Sequence, residues 1–237
     1  MSRMAAALRD RIYGTAEHPY VTFEKEVLRK LRPSGALLDV GCGREAPVLR
    51  KFQGSAARLV GIDVVKFTDS IPGIELLQGD LCSTGLPDES IDVVMARSVM
   101  EHVVAPDDAY SEMARVLKPG GSFIFLTANL WDYASLIARI VPNRFHPWIV
   151  RQTEGRDEQD VFPTAYKSNT RRQIQRHATR AGLAIERFEY LTQYPNYFMF
   201  NGFLFLLGAG YERFIATIPG FQMLQGWILA TLTRPPR

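Results

Sequence analysis

The stretch Leu37-Leu38-Asp39-Val40-Gly41-Cys42-Gly43-Arg44-Glu45 sets what this chain can fold into. Short apolar residues ending in an acid read as a buried strand. Two glycines follow at alternate positions, and Glu45 to Phe52 reads as a helix. A strand that turns on glycine into a helix is a nucleotide-binding device, because glycine lets the backbone approach a ligand and a helix N-terminus offers unpaired N–H groups. Gly41-x-Gly43-x-x-Ala46 also fits the dinucleotide pattern G-x-G-x-x-G/A. Asp63 ends a second strand, Arg58 to Asp63, 20 residues after Gly43 (63 − 43). That is where an acid grips ribose hydroxyls, accepting from two neighbours at once.

The following pattern alternates strands with helices. Ile74 to Gln78 is predicted as a third strand, running into Gly79-Asp80-Leu81. Ile91 to Ala96 is the fourth, followed by Arg97-Ser98-Val99-Met100-Glu101-His102-Val103. Proline and acids at Pro106-Asp107-Asp108 start a helix that runs to Lys118. Pro119-Gly120-Gly121 reads as a turn, and Ser122 to Thr127 as a fifth strand. Upstream, Val21, Phe23, Val27, Leu28 and Leu31 have helical spacing. Such alternation predicts an α/β fold with a mainly parallel sheet covered on both faces.

After Thr127 the pattern changes. Trp131 to Val141 looks helical, and Arg144 to Thr164 is rich in aromatics, prolines and charges. Asn169-Thr170 caps a helix through Arg180, with Gly182 as its stop. Leu183 to Tyr190 reads as strand six, Phe203 to Thr217 as a helix, and Trp227 to Thr233 as the last strand.

The chain resembles the class I S-adenosylmethionine (SAM) dependent methyltransferases, in the small-molecule subgroup. The motifs that carry the resemblance stand in order: Asp39-x-Gly41-x-Gly43, Asp63, Gly79-Asp80-Leu81, Ile91-Asp92-Val93-Val94, Glu101-His102-Val103 and Lys118-Pro119-Gly120-Gly121. The match is close from Val27 to Thr127 and looser at Leu183 to Tyr190 and Trp227 to Thr233. The resemblance implies a Rossmann-like, doubly wound, seven-stranded sheet with an antiparallel last strand. The whole chain, 1–237, would be a single methyltransferase domain: an N-terminal helical cap (1–35), a SAM-binding core (36–127), substrate-cap inserts (128–168 and 194–225), and the last strand and tail (226–237).

The resemblance also implies roles. Gly41, Cys42 and Gly43 pass close to the amino acid part of SAM, and Asp39 meets its ammonium group. Asp63 holds the ribose, Asp80 accepts from the adenine amino group, and the Leu81 N–H faces a ring nitrogen. Val64, Ile62, Leu81 and Met100 supply apolar walls, Leu81 and Met100 being equally well read as core. Arg97 completes the cofactor-binding set. The third glycine of the family pattern is Glu45 here. A carboxylate there either repels the SAM carboxylate or faces solvent, with Arg44 to offset it.

His102 is the best candidate for a general base toward an oxygen nucleophile; a structural histidine packed below the site is its rival. His18, His146 and His177 form no ligand pattern, so no metal site is expected. The acceptor is expected under segments outside the common core, where α/β folds place specificity. They are the N-terminal part with Tyr13 and Tyr20, and the inserts Asn129 to Lys167 and Tyr194 to Gln225. In the second insert Phe203, Leu204, Leu207, Tyr211, Phe214 and Ile218 form one apolar stripe. Phe200, Phe205 and Leu206 lie off it and are expected to line a pocket or touch lipid. Between Arg139 and Arg187 ten basic residues face five acids, an excess of 10 − 5 = +5. A basic stretch beside an apolar one suits an anionic amphiphile or an anionic bilayer.

The expected function is therefore SAM-dependent methylation of a small apolar or amphiphilic acceptor, such as a lipid, quinone or glycan-linked metabolite, most readily on oxygen. The alternatives are a catalytically inactive SAM-binding protein or, far lower, an NAD-dependent oxidoreductase. No Asn-Pro-Pro-Tyr motif follows strand four, which argues against N-methylation of nucleobases, and no nucleic-acid partner is expected. The net charge of +3 gives no independent reason for one. Two cysteines, Cys42 and Cys82, suit a reducing cytoplasm, with peripheral membrane contact as an addition.

Overall fold

The computed structural model describes residues 2–133, 135–136 and 163–236. It divides into two compact units. The larger comprises Tyr20–Thr127, Thr164–Glu189 and Leu229–Arg237; the smaller comprises Met1–Pro19, Ala128–Pro163 and Tyr190–Ile228.

The larger unit is built on a seven-stranded sheet. Its strands are β1 (Ala36–Val40), β2 (Arg58–Asp63), β3 (Glu75–Gln78), β4 (Ile91–Arg97), β5 (Leu117–Ala128), β6 (Ala184–Leu191) and β7 (Trp227–Thr233). They lie in the order β3-β2-β1-β4-β5-β7-β6, parallel from β3 to β5, with β7 antiparallel. All five residues of β1 are buried, as a central parallel strand requires. From β1 the chain winds outward through β2 to β3, then returns to lay β4 against the other side of β1. The order reverses between β1 and β4, so their carboxyl ends open the crevice in which doubly wound sheets bind ligands.

Helices α2 (Pro19–Lys30), α3 (Pro106–Val116) and α4 (Arg171–Arg180) accompany this sheet. Phe23 and Val27 are the buried face of α2. Pro106 opens α3, with Asp107 and Asp108 in its first turn. The buried Tyr110 of α3 meets the rings of Phe123 and Phe125 on β5 edge-on, at 5.9 and 6.2 Å between centroids. Thr170 caps α4 by accepting the Gln173 N–H. His177 is buried on α4 and bonded to Asp107 through Nδ1 at 2.5 Å, which makes it a fastener between two helices.

Two expected elements change. Helix α3 stops at Val116 and the chain enters β5 at once, so Pro119-Gly120-Gly121 is not a turn. Ile91 pairs with Leu117 but Val93 with Ser122: two steps along β4 face five along β5. The proline and glycines are absorbed as a bulge. The second change concerns Glu45 to Phe52, where only Leu49–Phe52 forms one short 3-10 turn. Ala46 precedes Pro47 and takes φ +44°. A residue before proline is pushed out of the helical region, so no helix can run through 45–48.

The smaller unit holds α1 (Arg3–Tyr13) and α5 (Gly202–Thr217). They pack around Ala5, Phe205 and Ala209, with Leu8, Tyr13, Tyr194, Phe198 and Met199 against them. Asn201 caps α5 by accepting from the Phe203 and Leu204 N–H groups. The expected faces of α5 hold only in part: Phe200 and Leu206, placed off the stripe, are exposed, but Phe205 is not. Phe205 is fully buried, whereas Phe203, Leu207 and Phe214 of the predicted stripe are 65%, 58% and 49% exposed. Most of Trp131 to Val141 and of Arg144 to Thr164, and much of the basic stretch from Arg139, lie outside the described residues.

Candidate cofactor site

The crevice between β1 and β4 is lined by the turn that leaves each strand. After β1, Gly41 has φ +75°, and a Cβ on it would stand 2.4 Å from Cγ2 of Val99. Only glycine allows β1 and the segment after β4 to approach this closely. The N–H groups of Gly41 and Cys42 both donate to the Ile62 carbonyl of β2, at 2.8 and 3.2 Å. Gly43 also has a positive φ, but a Cβ there would meet nothing within 4 Å. The turn is thus tight on its protein side and open on the other.

Asp63 at the end of β2 holds this turn in place. One oxygen accepts the Gly43 N–H at 2.7 Å and the other accepts the Val65 N–H at 3.1 Å. Each oxygen keeps a lone pair, so the carboxylate can still accept from a ligand hydroxyl.

Asp39 differs in kind. It is 2% exposed, and its Oδ2 is a buried atom without a hydrogen-bond partner. Burial pushes its carboxyl up to about 8; the nearby Asp63 pushes the same way and Arg97 opposes both. A buried acceptor left unmatched is costly, and a cationic or donor group of a ligand satisfies it. Arg97, the last residue of β4, stacks over the Tyr20 ring at 4.3 Å and lies 3.6 Å from Glu24. Helix α2 therefore fixes the guanidinium whose field reaches Asp39.

Ser98 joins the site without any sequence signal. It follows β4 in a left-handed conformation, φ +57°, and its buried Oγ has no hydrogen-bond partner. A non-glycine residue held there is strained, and such strain gathers at ligand sites. No motif reports it, since serine carries no signal for a positive φ.

The remaining expected residues are distributed as follows. Cys42 is buried beside the turn, and burial, with Asp39 and Asp63, pushes its thiol up to about 12. Val64 is exposed, Leu81 half-buried, and Ile62 and Met100 are in the core. Asp80 accepts the Cys82 N–H at 2.8 Å, which closes the turn after β3. Glu45 is exposed, so its charge faces solvent. His102 is half-buried, and its main-chain N–H donates to the Val99 carbonyl at 2.9 Å. The neighbouring Glu101 is buried and accepts from the Thr127 hydroxyl at 2.7 Å; that hydroxyl accepts from the Asn169 amide at 2.9 Å. The Glu101 carbonyl also accepts the Ala165 and Tyr166 N–H groups. Glu101 thereby ties the segment after β4 to β5 and to the chain that enters α4. Among the described residues no group of histidines, cysteines and acids is arranged to hold a metal ion.

Residues 38–125 match a family model described as a methyltransferase domain. A protein of Mycolicibacterium smegmatis named as an S-adenosylmethionine-dependent methyltransferase is 35% identical over 163 residues, covering 65% of this chain and 62% of its own length. A sterol 24-C-methyltransferase of Gibberella zeae is 32% identical over 123 residues, 46% of this chain and 32% of its own. The chain thus spans less than two thirds of these curated relatives. The geranyl diphosphate C-methyltransferase of Streptomyces coelicolor, solved with Mg2+, geranyl diphosphate and S-adenosyl-L-homocysteine, shares the fold. It aligns with a TM-score of 0.56 at 14% identity, over 91% of this chain and 77% of its own.

Proposed function

We propose, for a chain whose core is a methyltransferase domain on the class I fold, that it transfers a methyl group from SAM to a small apolar or amphiphilic acceptor. The observation that carries this reading is the buried, unpartnered Oδ2 of Asp39 beside an open glycine turn. A zwitterionic cofactor with an ammonium group matches that acceptor. Asp39, Gly41, Cys42 and Gly43 would hold its amino acid end. Asp63 would take the ribose hydroxyls, and Asp80, Leu81 and Val64 the adenine. Arg97 and Ser98 would line the β4 side.

When bound, SAM supplies a methyl group on a positively charged sulfur, and the sulfur keeps the bonding electron pair as the methyl leaves. The protein's part is positioning and the removal of a proton from the acceptor. His102 is the group we assign to that proton, with oxygen as the methylated atom. The names of the sterol and geranyl diphosphate relatives specify carbon instead, so the product's methyl position is part of the test. Those names support a lipid-like acceptor, as does the density of Phe, Leu and Tyr in the smaller unit.

Titration calorimetry with SAM, S-adenosylhomocysteine and NAD tests the cofactor; we expect micromolar binding of the first two and none of the third. Incubation with methyl-labelled SAM and lipid, quinone and sugar extracts, read by mass spectrometry, tests the acceptor. NAD binding without SAM binding would falsify the assignment. SAM binding with no labelled product from any extract would leave a binding protein in place of an enzyme.

A further inference from the structure

We infer that the outer face of α5, together with the adjoining edge of α1, is a docking surface for an anionic lipid bilayer. This goes beyond methyl transfer and does not depend on it.

Helix α5 is apolar on nearly every side. Its inner face is accounted for by Phe205, Gly208, Ala209, Glu212 and Ile215, all buried. Gly208 admits Phe198 and Pro195 so closely that a Cβ would lie 2.8 and 2.9 Å from their atoms. Its outer face carries Phe203, Leu206, Leu207 and Phe214, all exposed, and Phe214 continues onto the exposed Phe221 at 5.5 Å between ring centroids. The inner face of α5 is thus complete with these four side chains still exposed, and no described residue accounts for the second apolar face. Exposed apolar patches of this kind mark interaction surfaces.

The choice of a bilayer rests on what accompanies those side chains. The exposed Thr217 hydroxyl on this face is turned back to its own helix, donating to the Arg213 carbonyl at 2.9 Å. The one charge on it is Arg213. A protein interface needs directional polar groups to fix its register; a lipid surface needs none. Helix α1 adds cations. Arg3, Met4, Ala7 and Arg11 are exposed at helical spacing, and Met4 stands against Gly202, where an added Cβ would lie 2.6 Å from its Cγ. That contact sets the basic edge of α1 beside the Phe203 end of α5. On the two helices four arginines (Arg3, Arg9, Arg11, Arg213) face one exposed acid, Asp10, which Arg9 already pairs at 2.7 Å. The other acid, Glu212, points inward to Thr192. Cations flanking an apolar helix face are the pattern of a helix lying flat in an anionic interface. No described helix is long and apolar enough to cross a membrane, which fits lying flat.

The test is sedimentation of the full chain with phosphatidylcholine vesicles, with and without phosphatidylglycerol. We expect co-sedimentation with the anionic vesicles and its loss at high salt. The triple substitution Phe203→Ser, Leu207→Ser, Phe214→Ser should cut vesicle binding by about ten-fold or more. SAM binding and the melting temperature should hold, because these side chains are exposed. Should the triple variant misfold, Phe203→Trp replaces it, with a blue shift of the new fluorescence on adding anionic vesicles. Wild-type protein that stays in the supernatant overturns the inference. So does a dimer in sedimentation velocity that the triple substitution breaks, which would assign the face to a second copy of the chain. Failure of SAM binding alone leaves the vesicle result standing, so the two readings fail separately.

Discussion

The Gly43 main-chain N–H donates to the Asp63 carboxylate at 2.7 Å, which makes the turn after β1 and the end of β2 a single device. The acid that is expected to hold a ribose also holds the loop that is expected to meet the amino acid end of the cofactor.

Asp63→Ala should therefore damage binding twice, by removing the ligand's acceptor and by releasing the Gly43 and Val65 N–H groups. Each unpaired group costs about 1–3 kcal/mol, so the SAM dissociation constant should rise by about ten-fold or more. Asp63→Asn, which still accepts one N–H, should fall between the two in calorimetry. An unchanged constant in both variants would remove Asp63 from the site.

Asp39→Asn should raise stability and lower SAM affinity. The folded-state pKa of Asp39, about 8, lies above its ordinary value of 3.8. Within that window the folded chain holds a proton that the unfolded chain has released. Wild-type stability thus falls as pH rises from about 4 to 8. The asparagine variant lacks this slope, so its melting temperature should exceed the wild type's above pH 8. Equal melting temperatures across that range would mean that the buried oxygen finds a partner.

Glu212 should impose a second slope. Burial pushes its carboxyl up to about 7, Asp132 adds to this, and the Thr192 hydroxyl opposes it. The contribution is largest below the ordinary value of 4.5 and declines as pH rises toward 7, by roughly 3 kcal/mol. Denaturant unfolding of the wild type and Glu212→Gln at several pH values checks this. The variant should flatten the curve between those limits.

His102→Ala separates two roles. As a proton acceptor, its loss should lower kcat by about 10² or more with SAM affinity intact. As a packing residue, its loss should lower the melting temperature and leave the rate per folded molecule nearly unchanged.

The strand pattern was legible because buried parallel strands announce themselves. Trp227 to Thr233 and Arg58 to Asp63 have the ends that their residues suggest. The interior of β5 was not legible, because Pro-Gly-Gly signals a turn locally and only the pairing of Ile91 and Val93 with Leu117 and Ser122 shows it to be a bulge. The phase of α5 is only partly legible for a related reason. When a helix is apolar all round, spacing cannot say which side meets the protein; Gly202 and Gly208, which admit Met4 and Phe198, decide it. Ser98 had no signal at all, since neither its strain nor its unmatched hydroxyl exists until β1 and β4 are side by side.

Pro47 bears on which cofactors the glycine turn can select. A pyrophosphate brings two negative charges and is met by the bare N–H groups opening a full helix. Here the Gly-x-Gly turn is followed by a left-handed Ala46, then by a residue with no N–H, and the only helical piece is Leu49–Phe52. The run of N–H groups that would compensate phosphate charge is thus absent from residues 45–48, although the glycine signature stands in front of it. One ring at position 47 should thus act as a charge filter: we expect the turn to disfavour dinucleotides and to favour ligands that carry their own positive charge.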